Sequence, residues 1–209
     1  MTSAQRRPDK RPAALARLAV PALCLLLSAV IVAISPPLAR GEAGACQAPP
    51  GAFVQYEAAE PPRSVTNAPF VDGDGHSRSL ADFRGQAVVL NLWATWCAPC
   101  VREMPQLDRL NKRLADDGIR VLALSEDRAG APLVKKFYDV NGIRNLDVLV
   151  DAGGKVLREL KVRGLPTTLL IDVDGREVGR ALGAAEWDSD GVVNFLKRCL
   201  AKPKKRKNT

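Results

Sequence analysis

The chain has 209 residues, of which 46% are hydrophobic and 26% charged, and its formal net charge is +8. This composition fits one globular domain with extra segments, and it excludes a disordered chain and a multi-span membrane protein. The positive charge lies at the two ends, because residues 41–196 carry 18 basic and 22 acidic residues. The body of the chain therefore has no basic excess to neutralise phosphates, and we expect no nucleic-acid partner.

Residues 18–39 form an uncharged, largely apolar run, and the basic residues before it are Arg6, Arg7, Lys10, Arg11 and Arg17. A run of roughly 20 apolar residues can cross a bilayer as a helix, and preceding basic residues keep the N-terminus cytoplasmic. We expect residues 1–40 to be a cytoplasmic stub and an uncleaved signal-anchor, with a cleaved signal peptide as the alternative. Residues 41–62 would be a linker, and the rest of the chain would lie in the periplasm or another extracytoplasmic compartment.

The chain has five cysteines, and Cys97 and Cys100 form a Cys-X-X-Cys motif within NLWATWCAPCVREMP, residues 91–105. Cys24 lies in the apolar run, where it is expected to act as a small hydrophobic side chain. Cys46 and Cys199 remain, one on each flank of the globular region. In an exported protein two such cysteines more often pair than stay free, so a disulfide between them is expected, with two unrelated thiols as the alternative.

Several uses of a Cys-X-X-Cys motif do not fit. A structural zinc site needs four Cys or His ligands, and the only histidine is His76, in a polar turn. Covalent haem attachment needs His directly after the second cysteine, where Val101 stands. A peroxiredoxin-type peroxidase would have Thr three residues before its reactive cysteine, and Ala94 holds that place before Cys97. Dithiol–disulfide exchange remains, and we expect no metal or cofactor beyond the cysteine pair.

The motif lies between a predicted strand and a predicted helix. Residues 87–93 are an apolar, β-branched run, typical of a strand buried on both faces. The pattern after the motif predicts a helix that stops at Asp117-Gly118. Its inward positions are Met104, Leu107, Leu110 and Leu114, and its outward positions are Arg102, Glu103, Asp108, Arg109, Lys112 and Arg113. Because a helix N-terminus favours a thiolate, Cys97 is predicted to be the nucleophile and Cys100 the resolving thiol.

Further strands and helices alternate along the rest of the chain. The predicted strands are 119–125, 146–150, 168–173 and 177–182, and the predicted helices are 131–138, 155–162 and 189–200. Asp174-Gly175 is typical of a hairpin turn. The pattern predicts an α/β fold in which helices flank a mixed central sheet.

The stretches LWATWCAPC (92–100) and RGLPTTLLIDVDG (163–175) together resemble the thioredoxin superfamily. The closer resemblance is to its membrane-anchored TlpA/ResA/CcmG-like thiol:disulfide oxidoreductases, and most of all to the TlpA-like ones. It spans about residues 63–200 and implies a thioredoxin-like domain with an N-terminal hairpin extension, working as a monomer. TlpA-like proteins also carry a structural disulfide from the N-terminal segment to the last helix, which Cys46 and Cys199 match.

The resemblance also implies roles for residues around the motif. Pro166 matches a cis-proline beside the active site, and Trp96 matches an aromatic residue before the nucleophile. Glu103 matches an acidic residue proposed to help proton transfer, although a solvated helix face is the alternative. Thioredoxin itself has a buried Asp where this chain has Asn91, which cannot take up a proton. Glu103 is therefore the expected proton partner of Cys100.

The residues between the two cysteines, Ala98 and Pro99, bear on the direction of electron flow. They offer a thiolate no extra donor, and a less stabilised thiolate makes a better reductant. By chemistry and resemblance, we expect a reductant of disulfide-containing partner proteins in cytochrome c or cytochrome oxidase biogenesis, supplied by a membrane thiol donor. The alternatives are a general disulfide oxidase or isomerase, and a copper-binding chaperone that uses Cys97 and Cys100 as ligands. Residues 201–209 are expected to be a basic disordered tail.

Overall fold

The computed structural model describes residues 46–200 of the chain. Within this range the strands are β1 (Phe53–Ser64), β2 (Phe70–Asp72), β3 (Ser77–Arg78), β4 (Ala87–Trp93), β5 (Ile119–Ser125), β6 (Leu149–Val150), β7 (Thr167–Ile171) and β8 (Arg176–Ala185). The α-helices are α1 (Ala98–Leu114), α2 (Ala131–Asn141), α3 (Lys155–Glu159) and α4 (Asp190–Leu200). The predicted anchor in 1–40 and the predicted tail in 201–209 lie outside the described residues. Between residues 46 and 200, no helix is long and apolar enough to cross a membrane.

The eight strands form one mixed sheet in the order β1-β8-β7-β4-β5-β6-β2-β3. Strand β4 runs parallel to β5 and antiparallel to β7. All seven residues of β4 are buried, which explains why its sequence is an unbroken apolar run apart from Asn91. The hairpin β2–β3 extends the β6 edge of the sheet, as the predicted N-terminal hairpin extension requires.

Helices cover both faces of this sheet. Successive side chains of a strand point to opposite faces, so Val89 and Leu90 of β4 belong to two different apolar clusters. Helices α1, α2 and α4 contribute to the Val89 cluster, and α3 contributes Val156 to the Leu90 cluster. The predicted α/β sandwich is confirmed, although the predicted strand at 146–150 is shortened to β6.

The expectation that residues 41–62 form a linker is wrong for residues 53–62. Residues 53–62 belong to β1, which pairs antiparallel with β8 at one edge of the sheet. A register shift between Ala58 and Arg63 accommodates two prolines, which cannot donate to a ladder. Aromatic contacts hold the strand on the domain, since the tilted rings of Phe53 and Trp187 have their centroids 5.5 Å apart.

Cys46 and Cys199 form a disulfide with their Cα atoms 4.4 Å apart. The bond ties the start of the described chain to the last turn of α4. It closes a loop over a sequence separation of 153 residues. The disulfide expected between these two flanking cysteines is therefore present.

The position of Asp108 on α1 differs from the predicted one. Asp108, placed on the outward face by its polarity, is buried. Its carboxylate accepts hydrogen bonds from the backbone N–H groups of Arg144 (2.9 Å) and Asn145 (2.6 Å), and from Asn145 Nδ2 (2.7 Å). A buried carboxylate is tolerated when donors satisfy it in this way, so Asp108 fastens the loop before β6 to α1.

Candidate active site

The cysteine pair lies directly beyond the carboxyl end of the central strand β4. Cys97 is the N-cap residue of α1, and Cys100 lies in its first turn. The two form a disulfide, with an S–S distance of 2.02 Å. Cys97 is 7% exposed and Cys100 is 0% exposed, so an attacking partner can reach only Cys97. This asymmetry supports the predicted roles of nucleophile and resolving thiol.

Few donors face the Cys97 sulfur. The backbone N–H of Cys100 donates to Cys97 Sγ over 3.4 Å, as in an N-cap. Pro99 stands at the second helical position and has no N–H to give. Ala98 contributes no polar side chain. The helix N-terminus therefore stabilises a Cys97 thiolate through its dipole and this one sulfur contact.

Asp127 fixes the loop between β4 and the cysteines, a role that the sequence did not suggest. Its carboxylate accepts from Thr95 N (2.9 Å), Thr95 Oγ1 (2.8 Å) and Ser125 Oγ (2.8 Å). Asp127 is buried, so three donors compensate the loss of its hydration. These hydrogen bonds hold Thr95, and with it the loop that joins β4 to Cys97.

A groove of about 450 Å³ opens beside Cys97. Its lining residues are Trp96, Cys97, Pro99, Glu126, Leu157, Val162, Arg163, Gly164 and Leu165. Trp96 is 70% exposed, so its ring is available to a partner protein rather than packed in the core. The Leu165–Pro166 peptide is cis, as the match of Pro166 implies. Cys97 and Leu165 thus share a groove that is mostly apolar and large enough for a peptide segment.

Glu103 lies on the buried side of α1 and is only 2% exposed, so its assignment to the outward face is wrong. Its Oε1 accepts from Asn91 Nδ2 over 2.8 Å. Its Oε2 accepts from Trp187 Nε1 (2.8 Å) and from Ala185 N (3.4 Å). The donors come from β4, β8 and the segment after β8, and all are neutral. Glu103 is one helical turn from Cys100, and these three hydrogen bonds fix its side chain.

Burial raises the pKa of Glu103 to about 7, against the opposing effect of its hydrogen bonds from Trp187, Asn91 and Ala185. A carboxyl group that titrates near neutral pH can both take up and return a proton there. Asn91 is fully buried and also donates to Thr168 Oγ1 over 2.9 Å. Asn91 thus orients the carboxylate but has no titratable group that could take up a proton, which supports the predicted role of Glu103.

A second carboxyl group with a raised pKa, Glu126, lines the groove beside Cys97. Its pKa is raised to about 8, chiefly by burial and then by the charge of Asp151. The sequence offered one signal for it, because Glu126 directly follows the buried strand β5. His76, in contrast, lies in the β2–β3 turn near Asp72 and does not line the groove.

The chain is similar to a known protein family and to several known proteins. The AhpC/TSA family model matches residues 61–176. The chain is 32% identical over 148 residues to the thiol-disulfide oxidoreductase ResA of Bacillus thuringiensis subsp. konkukian, covering 71% of this chain and 83% of the relative. Among solved structures, it is similar to the exposed lipoprotein thioredoxin of Streptococcus pneumoniae (TM-score 0.53, 31% identity, 63% of this chain and 98% of that one). It is also similar to a thioredoxin-family thiol:disulfide interchange protein of Chlorobium tepidum (TM-score 0.54, 26% identity, 65% and 97%).

Proposed function

The chain belongs to the AhpC/TSA family and is a thiol-disulfide oxidoreductase with a thioredoxin-like fold, and we propose that it works as a reductant of disulfides in partner proteins. One observation supports this direction of electron flow. Within residues 46–200, the Cys97 sulfur accepts a single hydrogen bond, from the backbone N–H of Cys100 over 3.4 Å. Pro99, the second residue of α1, has no N–H that could donate another. Strong oxidants of this kind owe their potential to a stabilised reduced form. A thiolate with few donors therefore favours a reducing couple.

The proposed reaction has two steps. The Cys97 thiolate attacks one sulfur of a substrate disulfide, a mixed disulfide forms, and the other substrate sulfur leaves with the electron pair of the broken bond. Cys100 then gives its proton to Glu103, and its thiolate attacks Cys97 Sγ. This releases the second substrate sulfur as a thiolate, which takes a proton from water, and leaves the Cys97–Cys100 disulfide seen in the structure. Two electrons pass from the dithiol to the substrate, and no further cofactor is needed.

We further propose that the domain acts as a monomer outside the cytoplasm, held by an anchor in residues 1–40. The charge pattern and the apolar run of these residues support the anchor. The Cys46–Cys199 disulfide supports the compartment, because structural disulfides persist where the surroundings are oxidising. A reductant in such a compartment needs electrons from a membrane thiol donor. Cysteine pairs in cytochrome c or cytochrome oxidase assembly are the substrates that the family resemblance suggests.

A substitution between the cysteines tests why the couple should be reducing. Ala98→His adds a cationic donor at the first helical position, which should stabilise the Cys97 thiolate. The reduction potential should rise by on the order of 30 mV or more, and the pKa of Cys97 should fall. Ala98→Leu is the matched control, since it adds a side chain of similar size that has no hydrogen-bond donor. An unchanged potential in Ala98→His would show that donors at this position do not set the direction.

A further inference from the structure

Glu126 stands in an unusual position within the groove of Cys97. It is the first residue after β5, and its backbone N–H donates to the Trp93 carbonyl at the end of β4 over 2.9 Å. This contact places Glu126 next to the loop that leads to Cys97. Its Oε1 is buried and has no hydrogen-bond partner among residues 46–200. A buried acceptor without a donor costs free energy, and it costs most when the group is charged.

Two neighbouring carboxylates differ from Glu126 in this respect. Asp127 accepts from Thr95 and Ser125, as described above. Asp151 accepts from the backbone N–H groups of Lys155 (2.9 Å) and Leu157 (3.1 Å) at the start of α3. Both carboxylates therefore have hydrogen-bond donors, whereas Glu126 Oε1 has none among residues 46–200.

The charges around Glu126 agree with a neutral form. Burial and the negative charges of Asp151 and Asp127 raise the pKa of Glu126, and Arg158 of α3 opposes them. Arg163, before β7, is a further charged residue that lines the groove. With its pKa near 8, the group carries a proton through most of the neutral range. It therefore holds a proton beside the cysteine that meets the substrate.

We propose that Glu126 is the general acid for the substrate side of the exchange, donating its proton to the sulfur that leaves when Cys97 attacks. The Cys97–substrate S–S bond forms, the substrate S–S bond breaks, and the departing sulfur takes the carboxyl proton as it takes the electron pair. In the reverse direction the Glu126 carboxylate removes the same proton. This role requires only disulfide exchange at Cys97, whichever way electrons flow in the cell.

Two carboxyl groups would then divide the proton transfers. Glu103 lies on the buried side of α1 and borders a separate groove, with Gln106 and Glu186 among its lining residues. Glu126 borders the groove of Cys97 and Trp96. Glu103 therefore serves the resolving thiol Cys100, and Glu126 serves the sulfur of the incoming partner.

The dependence on the leaving group tests this role. A general acid accelerates the departure of a basic alkyl thiolate but not of a weakly basic aromatic thiolate, which leaves readily by itself. In a Cys100→Ser background only the first attack occurs, and quenched flow with intact mass follows it. The probes are 2-hydroxyethyl disulfide and 5,5′-dithiobis(2-nitrobenzoate). Glu126→Gln should slow the alkyl probe on the order of 10²-fold and the aromatic probe by less than about twofold.

Glu159→Gln is the matched control, because it neutralises an exposed glutamate of α3 that does not line the groove. It should leave both rates unchanged. A second measurement needs no substitution at position 126. Both probes share the same Cys97 thiolate, so the ratio of their rates cancels its ionisation. The alkyl-to-aromatic ratio should fall as pH rises through about 8, where Glu126 loses its proton.

Equal slowing of both probes by Glu126→Gln, no slowing of either, or a flat ratio through pH 8 would overturn the role of Glu126. None of these results bears on the reducing direction, which the potential of the couple decides. A protein that fails to react with either probe would instead contradict exchange at Cys97 itself.

Discussion

The Asn91 amide donates a hydrogen bond to the Glu103 carboxylate over 2.8 Å, joining the central strand to the helix that carries the cysteines. Thioredoxin has an ionisable Asp at the position of Asn91, whereas in this chain the ionisable group is Glu103 of α1, the proposed proton acceptor of Cys100. The donors to Glu103 are neutral, and within residues 46–200 no cation offsets its burial. The carboxyl pKa therefore rises to about 7 instead of falling.

Replacement of Glu103 by Gln should slow the resolving step. Gln keeps the shape of the side chain but cannot accept the Cys100 proton, and the loss of a general base typically costs on the order of 10²-fold in rate. Single-turnover kinetics should show a mixed disulfide that accumulates, because the first attack by Cys97 is unaffected. The inflection near pH 7 in the resolving rate should disappear.

Glu186→Gln provides the control for this experiment. Glu186 is exposed and borders the same groove as Glu103, where it accepts from Gln106 Nε2 over 3.1 Å. Its substitution should leave the resolving rate unchanged. An unchanged pH profile in Glu103→Gln would show that another group accepts the Cys100 proton.

Glu103 should also make the folded domain less stable at higher pH. Its pKa is about 7 in the folded chain, against 4.5 for an unperturbed group, so the folded state binds more protons between these values. The free energy of unfolding should therefore fall as pH rises from 4.5 to 7, by about 3 kcal/mol at most from this group. Urea unfolding of the oxidised protein at several pH values should show a smaller fall in Glu103→Gln. If the free energy of unfolding falls equally in both proteins, ionisation of Glu103 costs the folded domain little free energy.

The elements that hold the cysteine pair could be predicted from the sequence, because they depend on local patterns. The strand before the cysteines and the N-cap position of Cys97 follow from an apolar run and a helix start. Glu103 and Asp108 were assigned to the outward face on their polarity alone. Their spacing was the better signal: Glu103 lies four residues before Leu107, and Asp108 lies four after Met104, so both share the inward face.

Other features depend on contacts between distant segments. Strand β1 contains two prolines and is only partly buried, so no alternating pattern marked it as a strand. Its place is fixed by pairing with β8, more than a hundred residues later. Asp127 likewise accepts from Thr95, which precedes it by 32 residues, a contact that a single sequence does not bring together.

The Cys46–Cys199 disulfide should contribute stability without affecting exchange. It closes a loop spanning 153 residues, for which the chain-entropy estimate is about 5 kcal/mol. The double variant Cys46→Ala/Cys199→Ala should unfold at lower urea concentration by a corresponding amount. Its rate of reaction at Cys97 should match that of the unmodified chain under conditions where both are folded. Equal stability of the two proteins would contradict a structural role for this bond.

Trp96 should matter for protein substrates and little for folding. Its ring is 70% exposed beside Cys97, so Trp96→Ala should change the free energy of unfolding by less than about 0.5 kcal/mol. The second-order rate constant with a disulfide-containing peptide should fall on the order of tenfold, because an exposed aromatic anchor is lost. The rate with a small disulfide, which does not reach across the groove, should change much less. A similar fall with both substrates would indicate that Trp96 acts on Cys97 and not on the partner.

The reduction potential of the Cys97–Cys100 couple tests the proposed direction of electron flow most directly. It can be measured by equilibrating the domain with glutathione buffers and trapping the thiols. We predict a value close to that of thioredoxin, about −270 mV, because few donors stabilise the Cys97 thiolate. A value close to that of the strong oxidant DsbA, about −120 mV, would contradict a reductant.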